Sequence, residues 1–229
     1  MAIAPPPPLE RIASNPRILL SNVPWSTYQS LVEDPDNRHV RMTYDHGSLE
    51  LMSPSPEHEM SISLFRRMIE VLTMELAIPI KGRGSTTFKR ADLKQGLEPD
   101  ACYYLANERR IRGRKRIDLT IDPPPDLVIE VDITSSSLDR QGIYASLRVP
   151  EIRRFDGESL RVYQIQPDGT YVQCESSPTF PFLPLADLVR FATNSESTDD
   201  STWILSFLDW VRAEISPRFI RPAEGAGPA

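Results

Sequence analysis

The apolar positions along this chain repeat in two ways, which predict helices alternating with strands. Over residues 57–76 they recur every three to four positions, as on a helix packed against a sheet. The same pattern predicts three further helices, at about 24–33, 137–147 and 201–215. Runs of strand-forming residues bounded by turn residues predict strands near 40–45, 48–52, 79–82, 86–90, 100–104, 127–133, 151–155, 159–165 and 170–174. We therefore expect an α/β fold in which helices flank one mixed β-sheet.

The two ends of the chain differ in composition from the middle. Residues 1–15 are rich in proline and residues 217–229 in proline, glycine and alanine, so we predict disordered ends around a single domain at 16–216. No run approaches the roughly 20 apolar residues that span a membrane, and we expect no signal peptide. Cys102 and Cys174 lack metal-ligand spacing, which argues against zinc and disulfides and favours a cytoplasmic location.

One predicted strand, L-V-I-E-V-D-I at 127–133, carries two carboxylates. Because successive side chains on a strand point to opposite faces, Glu130 and Asp132 share a face with Val128. The other residues of the strand are apolar and fill the opposite face. A buried carboxylate must shift its pKa, find a cation or bind a metal. This strand therefore indicates a functional site.

A second acid lies upstream, where Asp100 follows Pro99 at the start of a predicted strand. Taken alone, Asp100 could be an ordinary turn residue. Together with Glu130 it suggests a carboxylate pair built from two neighbouring strands, which would repel itself unless a divalent cation lay between the two groups. Hard oxygen ligands favour magnesium or manganese, and metal-assisted phosphate chemistry is the natural use of such a pair.

These residues resemble the PD-(D/E)xK signature of the restriction-endonuclease-like superfamily. The chain is similar to a compact bacterial branch of it, described as restriction endonucleases and formerly catalogued as a family of unknown function. The similar blocks are residues 47–54, 98–100, 126–139 and 149–157, within a resemblance that covers roughly residues 20–190. It implies a restriction-endonuclease-like core with extra N-terminal and C-terminal helices, and cleavage of DNA phosphodiester bonds.

The resemblance also implies roles for individual residues. Asp100 and Glu130 would bind Mg²⁺, or Mn²⁺, with the main-chain carbonyl of Val131, and Glu50 would complete the acidic set. Arg140 stands where such proteins carry a lysine. Arginine stays protonated and cannot take a proton from water, although it can hold a phosphate oxygen. Two outcomes stay open: a slow nuclease that uses metal-bound hydroxide, or a site that binds without cutting.

Several of these residues also have a purely structural interpretation. Asp132 and His58 are auxiliary candidates, but Asp132 could simply pair with an arginine, and His58 could pack at a helix start where Ser55 is the N-cap and Pro56 the first residue. For both we favour the structural role. Glu50 could lie on a solvent face and Arg140 on an exposed helix. The later helix at 137–147 would take its cap from Ser135, Ser136 or Ser137.

The net charge of −6 is unevenly distributed, because residues 109–116 read R-R-I-R-G-R-K-R. Phosphate contacts need local positive potential rather than a positive net charge. This run lies between the two acidic strands, so it could flank their cleft or be a solvated loop. The nucleic-acid-binding candidates are Lys89, Arg109, Arg110, Arg112, Arg114, Lys115 and Arg116.

Three classes of function fit the sequence. The first is a magnesium-dependent endonuclease acting on DNA, and the second is a degenerate relative that binds nucleic acid or a protein partner. The third is another carboxylate enzyme, such as a glycoside hydrolase. Tyr103 and Tyr104 could supply the sugar-stacking rings of such an enzyme, and no other feature of the sequence supports it. The apolar end of the last helix, at Trp210 and Val211, fits a homodimer surface or the core, and we favour the core.

Overall fold

The computed structural model describes residues 15–84, 86–132 and 136–219 and contains strands and helices in mixed order. The strands are β1 (Arg17–Leu20), β2 (Arg41–Asp45), β3 (Ser48–Met52), β4 (Lys81–Gly82), β5 (Phe88–Arg90), β6 (Gln95–Leu97), β7 (Ala101–Tyr104), β8 (Leu127–Val131), β9 (Glu151–Phe155), β10 (Leu160–Ile165) and β11 (Tyr171–Cys174). The helices are α1 (Trp25–Glu33), α2 (Pro56–Glu75), α3 (Glu108–Ile111), α4 (Arg140–Ser146), α5 (Leu185–Thr193) and α6 (Asp200–Trp210), and a π-helical turn at Val211–Ile215 follows α6.

The strands form two sheets. The first has the order β1-β3-β2-β6-β5 and is antiparallel throughout, while the second has the order β11-β10-β9-β8-β7-β4. In the second sheet β8 and β9 run parallel, and α4 lies in the connection between them. The predicted α/β class is confirmed, and the second sheet is mixed as predicted. The division of the strands between two sheets was not predicted, because sequence patterns mark strands without marking their partners.

The alternation predicted for β8 is present, and it places the two faces of the second sheet against different layers. Leu127, Ile129 and Val131 join the core formed with α2, α5 and α6. Val128 lies on the other face, in a cluster with residues of α4 and of the first sheet. Glu130 shares the face of Val128 by strand alternation. The acid therefore points into the layer between the second sheet, α4 and the first sheet.

The predicted helix starts have mixed outcomes. Ser55 caps α2 by accepting a hydrogen bond from the main-chain N–H of His58, and Pro56 is the first helical residue, as predicted. The predicted helix α4 is present, but its predicted cap is wrong, since the helix starts at Arg140 and Asp139 is the cap. Ser136 and Ser137 bind Glu50 instead, and Ser135 lies outside the described residues.

At both ends, the structure extends past the domain boundaries predicted from composition. Asn15 is buried and accepts a hydrogen bond from the main-chain N–H of Ser55, and β1 begins two residues later. At the other end a 3₁₀ turn at Ser216–Arg218 extends the structure past the predicted boundary. The rest of the predicted disordered ends, 1–14 and 220–229, lies outside the described residues. Among the strands and α-helices of the described residues, four are absent from the predictions: β1, β6, α3 and α5.

The last helix uses its apolar stripe in the core. Val211 is fully buried, and the ring of Trp210 packs against Phe191 and Phe207 at centroid distances of 5.4 and 5.5 Å. Within the described ranges, none of the helices combines the length and the apolarity needed to cross a bilayer.

A buried ion pair on β9 ties the second sheet to the segment before α5. Glu151 and Arg153 point to the same face and are fully buried, with Arg153 Nε donating to Glu151 Oε1 at 2.8 Å. Ser177 Oγ donates to the same carboxylate oxygen at 2.7 Å, and the Thr179 N–H donates to the other. Although burial raises the pKa of Glu151, the charge of Arg153 and these hydrogen bonds hold it below its ordinary value.

We predict that Arg153→Leu destabilises the protein by about 3–5 kcal/mol, because it leaves the Glu151 charge buried without a cation. Urea unfolding followed by circular dichroism measures this change. Arg161→Leu removes an exposed ion-pair partner of Asp156 and should cost less than about 1 kcal/mol. Equal destabilisation by the two variants would contradict a special role for the buried pair.

Candidate active site

The register of two strands brings Asp100 next to Glu130. β7 and β8 are antiparallel with Ala101 opposite Ile129, so continuing the ladder by one residue sets Asp100 beside Glu130. The main-chain N–H of Val131 donates to Asp100 Oδ2 at 2.8 Å, which ties the acid to the end of β8. Asp100 is 2% and Glu130 5% exposed. The structure therefore contains the buried carboxylate pair that the sequence predicts.

His58, at the start of α2, is the partner of Asp100. Its ring is fully buried, and Nε2 lies 3.1 Å from Asp100 Oδ2. Burial lowers the pKa of His58, but the hydrogen bond and charge of Asp100 outweigh it, so the pKa lies above its ordinary value. Burial likewise raises the pKa of Asp100, and His58, with help from Arg140 and the Val131 N–H, holds it below the ordinary value. Both shifts favour the charged forms of the two groups.

Arg140, the first residue of α4, is the partner of Glu130. Its Nη2 donates to both carboxylate oxygens of Glu130, at 2.7 and 2.9 Å, and the Tyr144 hydroxyl donates to Oε1. Burial raises the pKa of Glu130 to about 7, against the lowering effect of Arg140. Asp100 and Asp132 add to the upward shift through charge repulsion. Of the two acids, Glu130 is therefore the one whose charged form is disfavoured.

The guanidinium of Arg140 also contacts the first sheet and the segment before Asp100. Nη2 donates to the main-chain carbonyl of Glu98 at 2.8 Å, and Nη1 donates to Thr43 Oγ1 at 2.5 Å. Its Nη2 atom is therefore surrounded by three oxygens, two from Glu130 and one from Glu98. The alternative that Arg140 is an exposed helix charge is wrong, because the side chain is 13% exposed and donates hydrogen bonds to these three residues.

Glu50 lies beside this arrangement and has its own partners. It is opposite Thr43 in the β2–β3 ladder and is 1% exposed, so the solvent-facing alternative is wrong. Arg17 Nη1 and Ser136 Oγ donate to Oε1 at 2.7 and 2.8 Å, and the Ser137 N–H donates to Oε2 at 2.6 Å. Although burial raises the pKa of Glu50, these hydrogen bonds and the charge of Arg17 hold it below its ordinary value. Glu50 anchors the segment that leads into α4.

Asp132 pairs with Arg154, whose Nε donates to Oδ2 at 2.6 Å. Arg154 is also the cross-strand neighbour of Glu130 on β9. The arginine partner agrees with the structural interpretation of Asp132, which nevertheless lies close enough to raise the pKa of Glu130.

The predicted basic residues divide into paired and unpaired groups. Lys89 pairs with Glu33, Arg112 with Glu108 and Arg114 with Asp122, at 2.6, 2.6 and 3.4 Å. The segment is a short helix, α3, followed by a loop. The other four candidates are exposed and form no ion pair within the described part of the chain: Arg109, Arg110, Lys115 and Arg116.

Sequence reasoning missed Tyr144, Thr43 and Arg17 as partners of the acids. A signal for Tyr144 was present, because it lies four residues after Arg140 and so on the same face of one helix. Thr43 and Arg17 lie on other strands and become neighbours only when the first sheet forms.

The donor atoms of this site suit a hard divalent ion that takes only a few ligands from the protein. Within the described residues, Asp100 Oδ1 accepts no hydrogen bond, since the contacts of this carboxylate are made by Oδ2. Those residues also contain no group of three or more His, Cys, Asp or Glu side chains arranged to hold a metal. Mg²⁺ typically takes one or two carboxylates from the protein and completes its shell with water and phosphate. Asp100, Glu130 and the Val131 carbonyl fit that description, with Arg140 competing for Glu130.

We predict that Asp100→Asn lowers the pKa of His58, because the variant loses the charge that opposes the burial of the ring. The contribution of His58 to stability is full just below its unfolded pKa of about 6.5 and is lost as pH rises through its raised folded pKa. In acid the contribution of the pair is lost again, as pH falls through the lowered folded pKa of Asp100. NMR titration of the histidine rings measures both pKa values. Asp187→Asn, a matched change on α5, should leave the His58 curve unaltered; a His58 pKa that is the same in Asp100→Asn would contradict the pairing.

Comparison with known proteins places this chain in a family. The chain is similar to the crystal structure of a protein from Anabaena variabilis described as "a putative nuclease", with 15% identity and a TM-score of 0.44, over 66% of this chain and 90% of that one. Among curated proteins, no sequence matches. Residues 25–194 match the family model Uma2, described as "Putative restriction endonuclease". Because this match spans most of the sequence, the chain belongs to the Uma2 family.

Proposed function

We propose that this protein is a metal-dependent endonuclease that hydrolyses phosphodiester bonds of DNA at Asp100 and Glu130. The observation that carries the proposal is the side-by-side burial of these two acids at the ends of adjacent strands. The family description supports a nuclease activity. Two free cysteines, Cys102 and Cys174, agree with the cytoplasm as the proposed location.

The proposed ion is Mg²⁺, with Mn²⁺ as a substitute, held by Asp100, Glu130 and the Val131 carbonyl. When bound, the ion would neutralise developing charge on the phosphate and lower the pKa of a water molecule. The protein itself holds the two carboxylates in a fixed orientation. The Val131 N–H and His58 fix the orientation of Asp100, and Tyr144 fixes that of Glu130.

Arg140 has a double role in this proposal. It neutralises Glu130 in the absence of ligand, and it carries a permanent positive charge with donors that can move to a phosphate oxygen. It cannot accept a proton from the attacking water. We therefore propose a slower reaction than a lysine at this position would allow.

We predict that the wild type nicks supercoiled plasmid with Mg²⁺ or Mn²⁺, and that Asp100→Ala and Glu130→Ala each lower the rate by on the order of 10²-fold or more. Arg140→Lys should raise the rate on the order of tenfold, since a lysine can lose its proton. Agarose gel densitometry over time measures all four proteins.

Glu196→Ala changes an exposed acid on the 3₁₀ turn after α5 and is the control for purification and charge. It should nick plasmid at the wild-type rate. Nicking that persists undiminished in Asp100→Ala would come from a contaminant and would defeat the proposal.

A second candidate function is nucleic-acid binding without cleavage. The observation that favours it is the position of Arg140 Nη2, which contacts both carboxylate oxygens of Glu130 and the main-chain carbonyl of Glu98. A metal ion would have to compete with this guanidinium group for Glu130. In that case the protein binds DNA in the presence of EDTA, and neither Mn²⁺ nor the Arg140→Lys change produces nicking.

DNA is the proposed partner in both cases, and the unpaired basic residues after α3 are candidates for its phosphates. We predict that the double change Lys115→Gln and Arg116→Gln weakens duplex binding by about tenfold and lowers the salt slope of log K by about 1.8, for two lost phosphate contacts. Fluorescence anisotropy at several salt concentrations measures both quantities. Arg161→Gln is the control, and a slope unchanged in the double variant would place these residues outside the interface.

A further inference from the structure

A polar cavity with a volume of about 250 Å³ lies close to the carboxylate pair. Its polar walls come from the turn after α1, the start of β2 and the strands around Glu98, and consist of Asn37, Arg38, Arg41, Thr87 and Glu98. The side chain of Glu98 lines the cavity, while its main-chain carbonyl accepts a hydrogen bond from Arg140. A single residue therefore separates the cavity from the guanidinium that binds Glu130.

Arg41 is the most unusual side chain in this cavity. It is 12% exposed, and its nearest carboxylate oxygens lie 3.6 Å away on Glu59 and 3.8 Å away on Glu98, beyond hydrogen-bond distance. Its Nε is buried without a partner, and within the described residues none of its other N–H groups makes a hydrogen bond. A guanidinium has five N–H donors, and buried donors are normally satisfied. Arg41 therefore presents unused donors to a cavity.

A second arginine faces the same space. Arg38 is exposed and lines the cavity, and it has no ion pair among the residues that the structure describes. The acid in the lining, Glu98, accepts a hydrogen bond from Thr87 Oγ1 at 2.6 Å. The lining therefore carries two guanidinium groups and one carboxylate, which favours an anion with several acceptor oxygens.

We propose that Arg38 and Arg41 bind a phosphate group, namely the backbone phosphate of the nucleic acid that neighbours the one at Asp100 and Glu130. The inference rests on the proposed function for the identity of its ligand. Glu98 and Asp100 are two residues apart, which an extended chain spans in at most about 7 Å. This is comparable with the step between neighbouring phosphates along a strand. Such contacts set the register of the nucleic acid without reading its sequence.

The test is binding of a fluorescein-labelled single-stranded oligonucleotide in EDTA, so that cleavage is not needed for a signal. Arg38→Gln and Arg41→Gln should each weaken binding by about five- to tenfold at low salt and lower the salt slope by about 0.7. Inorganic phosphate should compete with the oligonucleotide for the wild type and should lose that effect in both variants. Arg212→Gln, an exposed residue paired with Glu75, should behave as the wild type.

Wild-type affinity and salt slope in both variants would overturn the inference, as would a wild type that binds neither probe. Binding of inorganic phosphate without the oligonucleotide would overturn the nucleic-acid assignment. Arg38 is exposed, so Arg38→Gln decides the matter if Arg41→Gln does not fold. Plasmid nicking separates this inference from the proposed function. Asp100-dependent nicking with normal DNA binding in both variants removes only the phosphate site. Weakened DNA binding in both variants, together with a wild type that never nicks, removes only the nuclease.

Discussion

Two carboxylates buried side by side must be compensated by positive charge, and the surroundings of Asp100 and Glu130 follow from that requirement. Two helices supply the compensation, His58 from the start of α2 and Arg140 from the start of α4. Both helices are placed by ordinary hydrophobic packing, since α2 covers one face of β8 and α4 the other. The core thus determines which cation each acid meets, and the uneven result is a lowered pKa for Asp100 and a raised pKa for Glu130.

Arg140 connects parts of the molecule that are otherwise separate. It binds Thr43 in the first sheet, the carbonyl before Pro99, and Glu130 in the second sheet. A lysine has one ammonium group and could not make these contacts together in the same plane. Arginine at this position therefore ties the two sheets together through contacts that lysine could not make at once. Its guanidinium group stays protonated and cannot accept a proton.

The sequence allowed local features to be predicted better than their assembly. The α2 helix, its Ser55 cap and the alternation in β8 come from nearest neighbours and periodicity, and all three are present. The division into two sheets depends on pairing between distant strands, such as β2 with β6, and β6 is too short to show a pattern. Ser136 and Ser137 read as helix caps because nothing local reveals Glu50 as their partner. The acids were found because charge inside an apolar strand is conspicuous, whereas Arg41 and Arg38 lie in unremarkable surroundings.

The sequence separations within the site bear on its assembly during translation. Thr43 and Arg140 are 97 positions apart, and Ser137 lies 87 positions from Glu50. A nascent chain that has emerged only as far as β8 already contains both acids but lacks the arginine that neutralises Glu130. Contacts of such high sequence separation form slowly and expose polar groups until they close. Glu130 therefore gains its cation only after α4 has been synthesised and has packed against β8.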